Sequence, residues 1–259
     1  MLARSTPDAL WQTPSVRLLR PAAVACRDLR RGRGRHALLA GVTLTVPVGG
    51  RLLVASRPPA AASMLLRILA GLVRPDGGKV ELAGLRDPSS PGWRARVGYV
   101  EPDPGIPTWL SPREALELAV DLRGIAGAPR GRAVAAAATG AGIGGEELDR
   151  PMLHGGRSLH ERVAFATALV GDPDVLLLDE PLRSLDPTTR ASRLALPGPR
   201  RTVLLVSADL ARTAPVVTHA ALLRDGRLAL VTTISRLTAQ GLPLTVGALE
   251  LLAMPPRSR

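Results

Sequence analysis

Apolar positions in this chain fall into three rhythms: short continuous runs, period-two alternations, and stretches spaced for one face of a helix. The run Val175-Leu-Leu-Leu178 predicts a strand buried on both faces, as in a parallel sheet covered by helices, and it ends in Asp179 and Glu180. Earlier, Ala22 to Leu29 and Val42 to Val46 predict the opening strands of a small sheet. Arg51 to Ala55 predicts a further short strand, and a helix from about Ala61 to Leu72 follows it. Gly77, Gly78 and Gly84 punctuate a hairpin-like segment around Lys79 to Leu82, and Val97 to Val100 predicts the next strand. Ser111-Pro-Arg-Glu114 is a capping-box pattern with proline at the first helical position, and its amphipathic run reaches about Arg123. Ala133 to Ala138 predicts another helix. Pro197-Gly-Pro199 cuts short the helix after Asp186 before Thr202 opens a strand. Val246 to Met254 is a short apolar helix candidate, followed by Pro255-Pro256 and a basic tail.

The acids that end the Val175 run carry the first chemical signal. Ligands of open α/β sheets bind at the carboxyl ends of strands. One carboxylate there can hold Mg²⁺ through its water shell, and a second can orient an attacking water. The plain alternative is a buried strand that happens to end in acids.

Leu176-Leu-Leu-Asp-Glu-Pro181 followed by Ser184-Leu-Asp186-Pro resembles the Walker B strand and D-loop of ATP-binding-cassette (ABC) ATPases, the engines of ABC transporters. Arg162 to Asp174 resembles the helix that leads from their signature motif into Walker B, and Met64 to Val80 their first helix and the turn after it. Thr202 to Leu210 and Ala221 to Arg227 are similar to the last two sheet segments, so the likeness spans about 24–236 in order. It implies an α/β fold of the P-loop NTPase type: a mainly parallel core sheet with an antiparallel β-subdomain and a helical subdomain. The expected organisation is a loosely ordered leader at 1–21, carrying Pro7, Pro14 and Pro21. A nucleotide-binding domain at 22–236 follows, with its helical subdomain at about 103–160, and then a C-terminal extension at 237–259.

The resemblance also assigns positions, and many are filled unusually. The Walker A pattern G-x-x-x-x-G-K-[ST] wraps phosphates in backbone N–H groups while its lysine reaches the β and γ oxygens. Here Ser56 stands for the first glycine, Ala61 for the second and Ala62 for the lysine; Ala60 and Met64 flank them, and Ser63 survives as a magnesium ligand beside Asp179. No register restores the lysine, since the chain's sole lysine is Lys79. Pro58 and Pro59 remove two N–H donors. Arg57 offers a phosphate-binding fork, but from the near end of the loop. Arg33 falls where the family stacks an aromatic ring on adenine; a guanidinium can stack on a base or face solvent. Glu101 and Pro102 fall where the family has a glutamine. The signature motif has two candidate registers, Leu153-His-Gly-Gly-Arg157 and the gap-free Gly155 to Leu159; Gly155 and Gly156 belong to both. Asp186 is the D-loop acid, Glu180 the Walker B catalytic carboxylate, and Ala208 replaces the histidine that contacts the γ-phosphate.

Composition narrows the partners. The formal charge of +12 favours polyanions, with the densest cluster at Arg27 to His36, which can face phosphates or lipid headgroups. The arginines are otherwise scattered and aromatics are only 2%, which leaves few stacking platforms and argues against a nucleic-acid role. Cys26 is the sole cysteine, so no internal disulfide can form. No run approaches the roughly 18 apolar residues of a membrane span, and the N-terminus lacks the apolar core of a secretory signal. The expectation is a cytoplasmic protein, peripheral on the cytoplasmic face of the plasma membrane.

The resemblance therefore implies ATP and Mg²⁺ as ligands, bound weakly or no longer. It implies a membrane-spanning transporter subunit as partner, and a homo- or heterodimer with another cassette. The leading expectation is a hydrolysis-deficient accessory subunit of an ABC transporter. The alternative is a working ATP-binding subunit that supplies half of an asymmetric site with another cassette. A basic nucleic-acid-binding cassette without transport rests on charge alone.

Overall fold

The computed structural model describes residues 21–195, 198 and 200–254. The expected leader, apart from Pro21, the basic tail and the Pro197-Gly-Pro199 break thus lie wholly or largely outside the described residues.

Two sheets share one core. The smaller is antiparallel, ordered β2-β1-β4, with β1 at Ala22–Arg31, β2 at Leu39–Pro47 and β4 at Gly77–Leu82. The larger runs β5 (Val97–Val100), β6 (Val175–Asp179), β7 (Thr202–Val206), β3 (Arg51–Arg57), β8 (His219–Arg224), β9 (Arg227–Thr233). All its neighbours are parallel except β8 and β9. That exception follows from the linker: Asp225 and Gly226 both take positive φ, 51° and 70°, the geometry of a tight two-residue hairpin turn.

The period-two side-chain alternation of the central strands divides the interior. Leu53, Leu176, Leu178, Val203 and Leu205 point into one apolar cluster, and Leu52, Val54, Val175, Leu177 and Leu204 into the other. Against the first cluster pack α3 (Pro112–Leu122), α4 (Pro129–Ala141) and α6 (Gly156–Leu169), through Leu116, Val120, Ala137, Val163 and Phe165. Against the second packs α1 (Ala60–Leu69), whose Leu65, Leu66, Ile68 and Leu69 are buried, and behind it the core face of the small sheet. Shorter helices complete the chain: α2 (Pro91–Arg96), α5 (Gly145–Leu148), α7 (Pro187–Ala195), α8 (Ile234–Ala239) and α9 (Val246–Ala253). No helix among the described residues is long and apolar enough to cross a membrane.

The expected capping box is present: the Ser111 hydroxyl accepts the Glu114 N–H at 3.2 Å, and Glu114 accepts the Ser111 N–H at 2.8 Å. The hairpin-like segment expected around Lys79 is present only as a tight turn, in which Leu82 and Leu85 exchange N–H···O bonds at 2.9 Å across Ala83 and Gly84. The extended pairing of β4 is with β1, Cys26 opposite Val80, because its apolar residues match the core face of the first strand. The helix expected at 61–72 stops at Leu69.

Candidate functional site

Strands β3, β6 and β7 bring the expected site residues to one end of the larger sheet. Asp179 pairs in register with Val206, and the Glu180 N–H donates to the Val206 carbonyl at 2.9 Å. Asp179 is 1% exposed, and neither of its carboxylate oxygens has a hydrogen-bond partner among the described residues. Burial pushes its pKa above the ordinary carboxylate value; the nearby Ser63 hydroxyl and the Arg67 and Arg183 charges pull the other way. Glu180 sits at φ 50° and is also raised by burial, offset by the Ala208 N–H, which donates to its Oε1. Arg190, 2% exposed, braces this corner by donating to the Pro181 carbonyl at 3.0 Å and the Ser207 hydroxyl at 3.3 Å.

The loop between β3 and α1 closes on itself. The Ser56 hydroxyl lies 2.9 Å from the Pro58 carbonyl and 3.0 Å from that of Pro59, and accepts the Ala62 N–H at 3.0 Å. The Ala61 N–H donates to Pro58 and the Ala62 N–H also reaches Pro59, at 3.0 and 3.2 Å. Ser56 thus does for α1 what an N-cap side chain does, accepting a first-turn N–H that otherwise has only the longer contact to the Pro59 carbonyl. Ala61 and Ala62 are buried, Ala60 is exposed, and Ser63 and Met64 are half-buried. Arg57 points elsewhere: its guanidinium pairs with Glu250 of α9 at 2.8 Å.

The remaining expected positions fall around this core. Gly155 precedes α6 and exposed Gly156, at φ +64°, begins it. Asp186 accepts the Thr188 and Thr189 N–H groups at 3.1 and 3.0 Å, which caps α7 and lowers its pKa. Glu101 stands 3.9 Å from Arg67. Arg33 is exposed, just before a short 3-10 turn at Gly34–His36. Sequence reasoning passed over Glu161. This carboxylate, 5% exposed, accepts the Ser184 N–H at 2.8 Å and the Arg157 guanidinium at 3.0 Å, tying α6 to the segment before Asp186. Its signal was the i,i+4 pairing of Arg157 with Glu161 on one helix face.

The residues fit the two groups that such a fold implies unequally. A buried carboxylate with two orphaned oxygens beside a serine hydroxyl is an oxygen donor set for a hard divalent cation. The phosphate loop does not match a triphosphate as well, because its N–H donors at Ala61 and Ala62 are spent within the loop and its one cation is paired with Glu250.

Comparison with known proteins places this geometry. A family described as "ABC transporter" matches residues 39–183. The aliphatic sulfonates import ATP-binding protein SsuB of Pseudomonas entomophila is 34% identical over 220 residues, 83% of this chain and 77% of that protein. The like-named protein of Pseudomonas putida is 33% identical over 224 residues, 84% of this chain and 79% of that one. Among solved structures, the ATP-binding subunit of an ABC transporter superposes with a TM-score of 0.76 at 21% identity, covering 89% of this chain and 99% of that one. CbiO1 from Clostridium perfringens, part of a transporter complex, gives 0.73 at 20%, covering 85% and 92%.

Proposed function

This chain belongs to the ABC transporter family of ATP-binding cassettes, and on that premise we propose that it is an ATP-binding subunit of such a transporter whose own nucleotide site hydrolyses ATP poorly. It works at the cytoplasmic face of a membrane, docked on a membrane-spanning subunit and paired with another cassette. Import is the proposed direction, because the relatives cited are named for aliphatic sulfonate import.

The observation that carries the reading is the Ala62 N–H donating to Ser56 within a loop that has no lysine. Asp179 and Ser63 keep an oxygen set for Mg²⁺, which would supply charge neutralisation between phosphate oxygens. Glu180, held by the Ala208 N–H, is the group left to orient a water. What is lost is grip. A hydrogen bond to a charged group contributes about 1.5–3 kcal/mol, so the missing lysine and the Ala62 donor alone, before the Ala61 donor is counted, weaken binding by roughly 10²- to 10⁴-fold.

Titration of the purified chain with a fluorescent ATP analogue, with and without Mg²⁺, followed by single-turnover hydrolysis, tests this. Weak, Mg²⁺-dependent binding and little cleavage are expected; ordinary cassette rates would overturn the impaired-site reading.

A second reading, in which the chain lends its glycine-led α6 to a partner's nucleotide, draws on exposed Gly156 at that helix start. ATP-dependent association with a complete cassette distinguishes it.

A further inference from the structure

The small sheet has a core face and an outer face. Val24, Cys26, Leu44, Val80 and Leu82 are buried in the core, while the alternate positions of the same strands open onto a cavity of about 920 Å³. Segments 71–75 and 86–89 wall it. The cavity begins where α1 ends, so it lies about 15 Å, the length of a ten-residue helix, from the phosphate loop.

Its floor breaks a rule of strand pairing. Arg27 and Lys79 are direct cross-strand partners in the β1–β4 ladder, both are exposed, and like charges in that position repel. Neither makes an ion pair among the described residues, and neither does Arg74 on the wall. Two acids also line the cavity, and both are engaged. Glu81 pairs with Arg86 at 3.0 Å, and Asp87 accepts the Ser89 hydroxyl and N–H at 2.6 and 2.9 Å. Arg74 is answered by the Asp87 charge beside it and Arg86 by Glu81, which leaves the Arg27–Lys79 pair as the net positive charge facing a volume within the roughly 300–1,000 Å³ range of small-molecule sites. Half-buried Val73, Pro75 and Pro88 supply an apolar side beside them.

We propose that this cavity binds a small amphipathic organic anion, its head between Arg27 and Lys79 and its hydrocarbon body along Val73, Pro75 and Pro88. The chain's own first 20 residues are a poor occupant by charge, since they carry Arg4, Arg17 and Arg20 against Asp8 alone. An extended polyanion would gain nothing from the apolar side. The site is independent of nucleotide binding.

Calorimetric titration of the full chain with octyl phosphate tests this, with inorganic phosphate and octanol as arms that carry only the head or only the body. Saturable binding is expected, at least about tenfold tighter than either arm, the size of one well-made charged contact. The double variant Arg27→Gln, Lys79→Gln should lose about tenfold while keeping the wild-type melting profile and ATP-analogue titration, and Val73→Ala, which trims the apolar side without adding a charge, should weaken binding too. Inorganic phosphate binding as tightly as octyl phosphate would mean an adventitious ion only. That result would overturn the proposal, as would an unaffected double variant, or binding confined to anionic vesicles or duplex DNA.

Discussion

A carboxylate with both oxygens buried and unpaired costs the folded state whenever it is ionised, and Asp179 is such a group. Its raised pKa means that the folded chain holds this proton to higher pH than the unfolded chain does. By linkage, the Asp179 contribution to stability falls as pH rises from the unfolded carboxylate range through the raised value, and stays unfavourable above it. Asp179→Asn should therefore raise the melting temperature at neutral pH, and the difference should vanish in acid, below the unfolded value. Mg²⁺ should stabilise the wild type more than the variant; scanning calorimetry across pH with and without Mg²⁺ reads both effects. Arg57 gives a second outcome at this scale. Arg57 is exposed and Glu250 half-buried, so their pair contributes on the order of 1 kcal/mol. Glu250→Gln should leave the fold intact and, by freeing the only cation of the loop, tighten ATP-analogue binding by no more than about fivefold. Unchanged affinity would show that Arg57 does not reach the phosphates. Asp179, Glu180 and Ser63 were legible because motif spacing puts acids at a strand end and a serine at a helix start. The work of Ser56 was not. A serine in a glycine's place reads as a loss until the structure shows its hydroxyl capping α1.

Elements pack here through close backbone approaches that single side chains would block. Gly98 in β5 lies under α6, and a Cβ added there would stand 2.1 Å from the Ala168 carbonyl oxygen. That neighbour is helix backbone and cannot swing away, so Gly98→Ala has to push α6 off the sheet. Overpacking of this kind costs about 1–3 kcal/mol, occasionally more, and urea unfolding should show at least that loss with an unchanged slope. The same crossing explains which elements could be read in advance. Buried strands such as β5 and β6 fall within a residue of their apolar runs, because both faces need apolar side chains and polar residues mark the ends. α4 runs longer than its alanine-rich centre, from Pro129 to Ala141, because Pro129 at the first turn and Gly142 at φ 71° set its ends. The pairing of β4 with β1 depends on contacts across some fifty residues, such as Cys26 with Val80, and no local pattern encodes it.

For the whole molecule, the fold and the chemistry separate. Both faces of the six-stranded sheet are covered, and the two apolar clusters that stabilise it avoid the phosphate loop, apart from Ala61 and Ala62. The scaffold can thus stand without nucleotide. A ligand stabilises the folded state by RT ln(1 + [L]/Kd). If the self-closed loop leaves Kd at about 1 mM, then about 1 mM Mg-ATP contributes only about 0.4 kcal/mol, an upward shift of about 1–2 °C for a chain of this size. A loop with lysine and free N–H donors, binding about a hundredfold tighter, would contribute about 2.7 kcal/mol under the same conditions, or roughly 5–10 °C. A thermal-shift series in Mg-ATP therefore separates the two cases with no assumption about hydrolysis. The small shift is expected, together with a sedimentation coefficient that Mg-ATP leaves unchanged for the chain alone, because a nucleotide held this loosely cannot join two copies. A large shift, or an ATP-dependent dimer of this chain by itself, would mean that the Ser56 cap opens readily and that the loop, despite its prolines, grips a triphosphate.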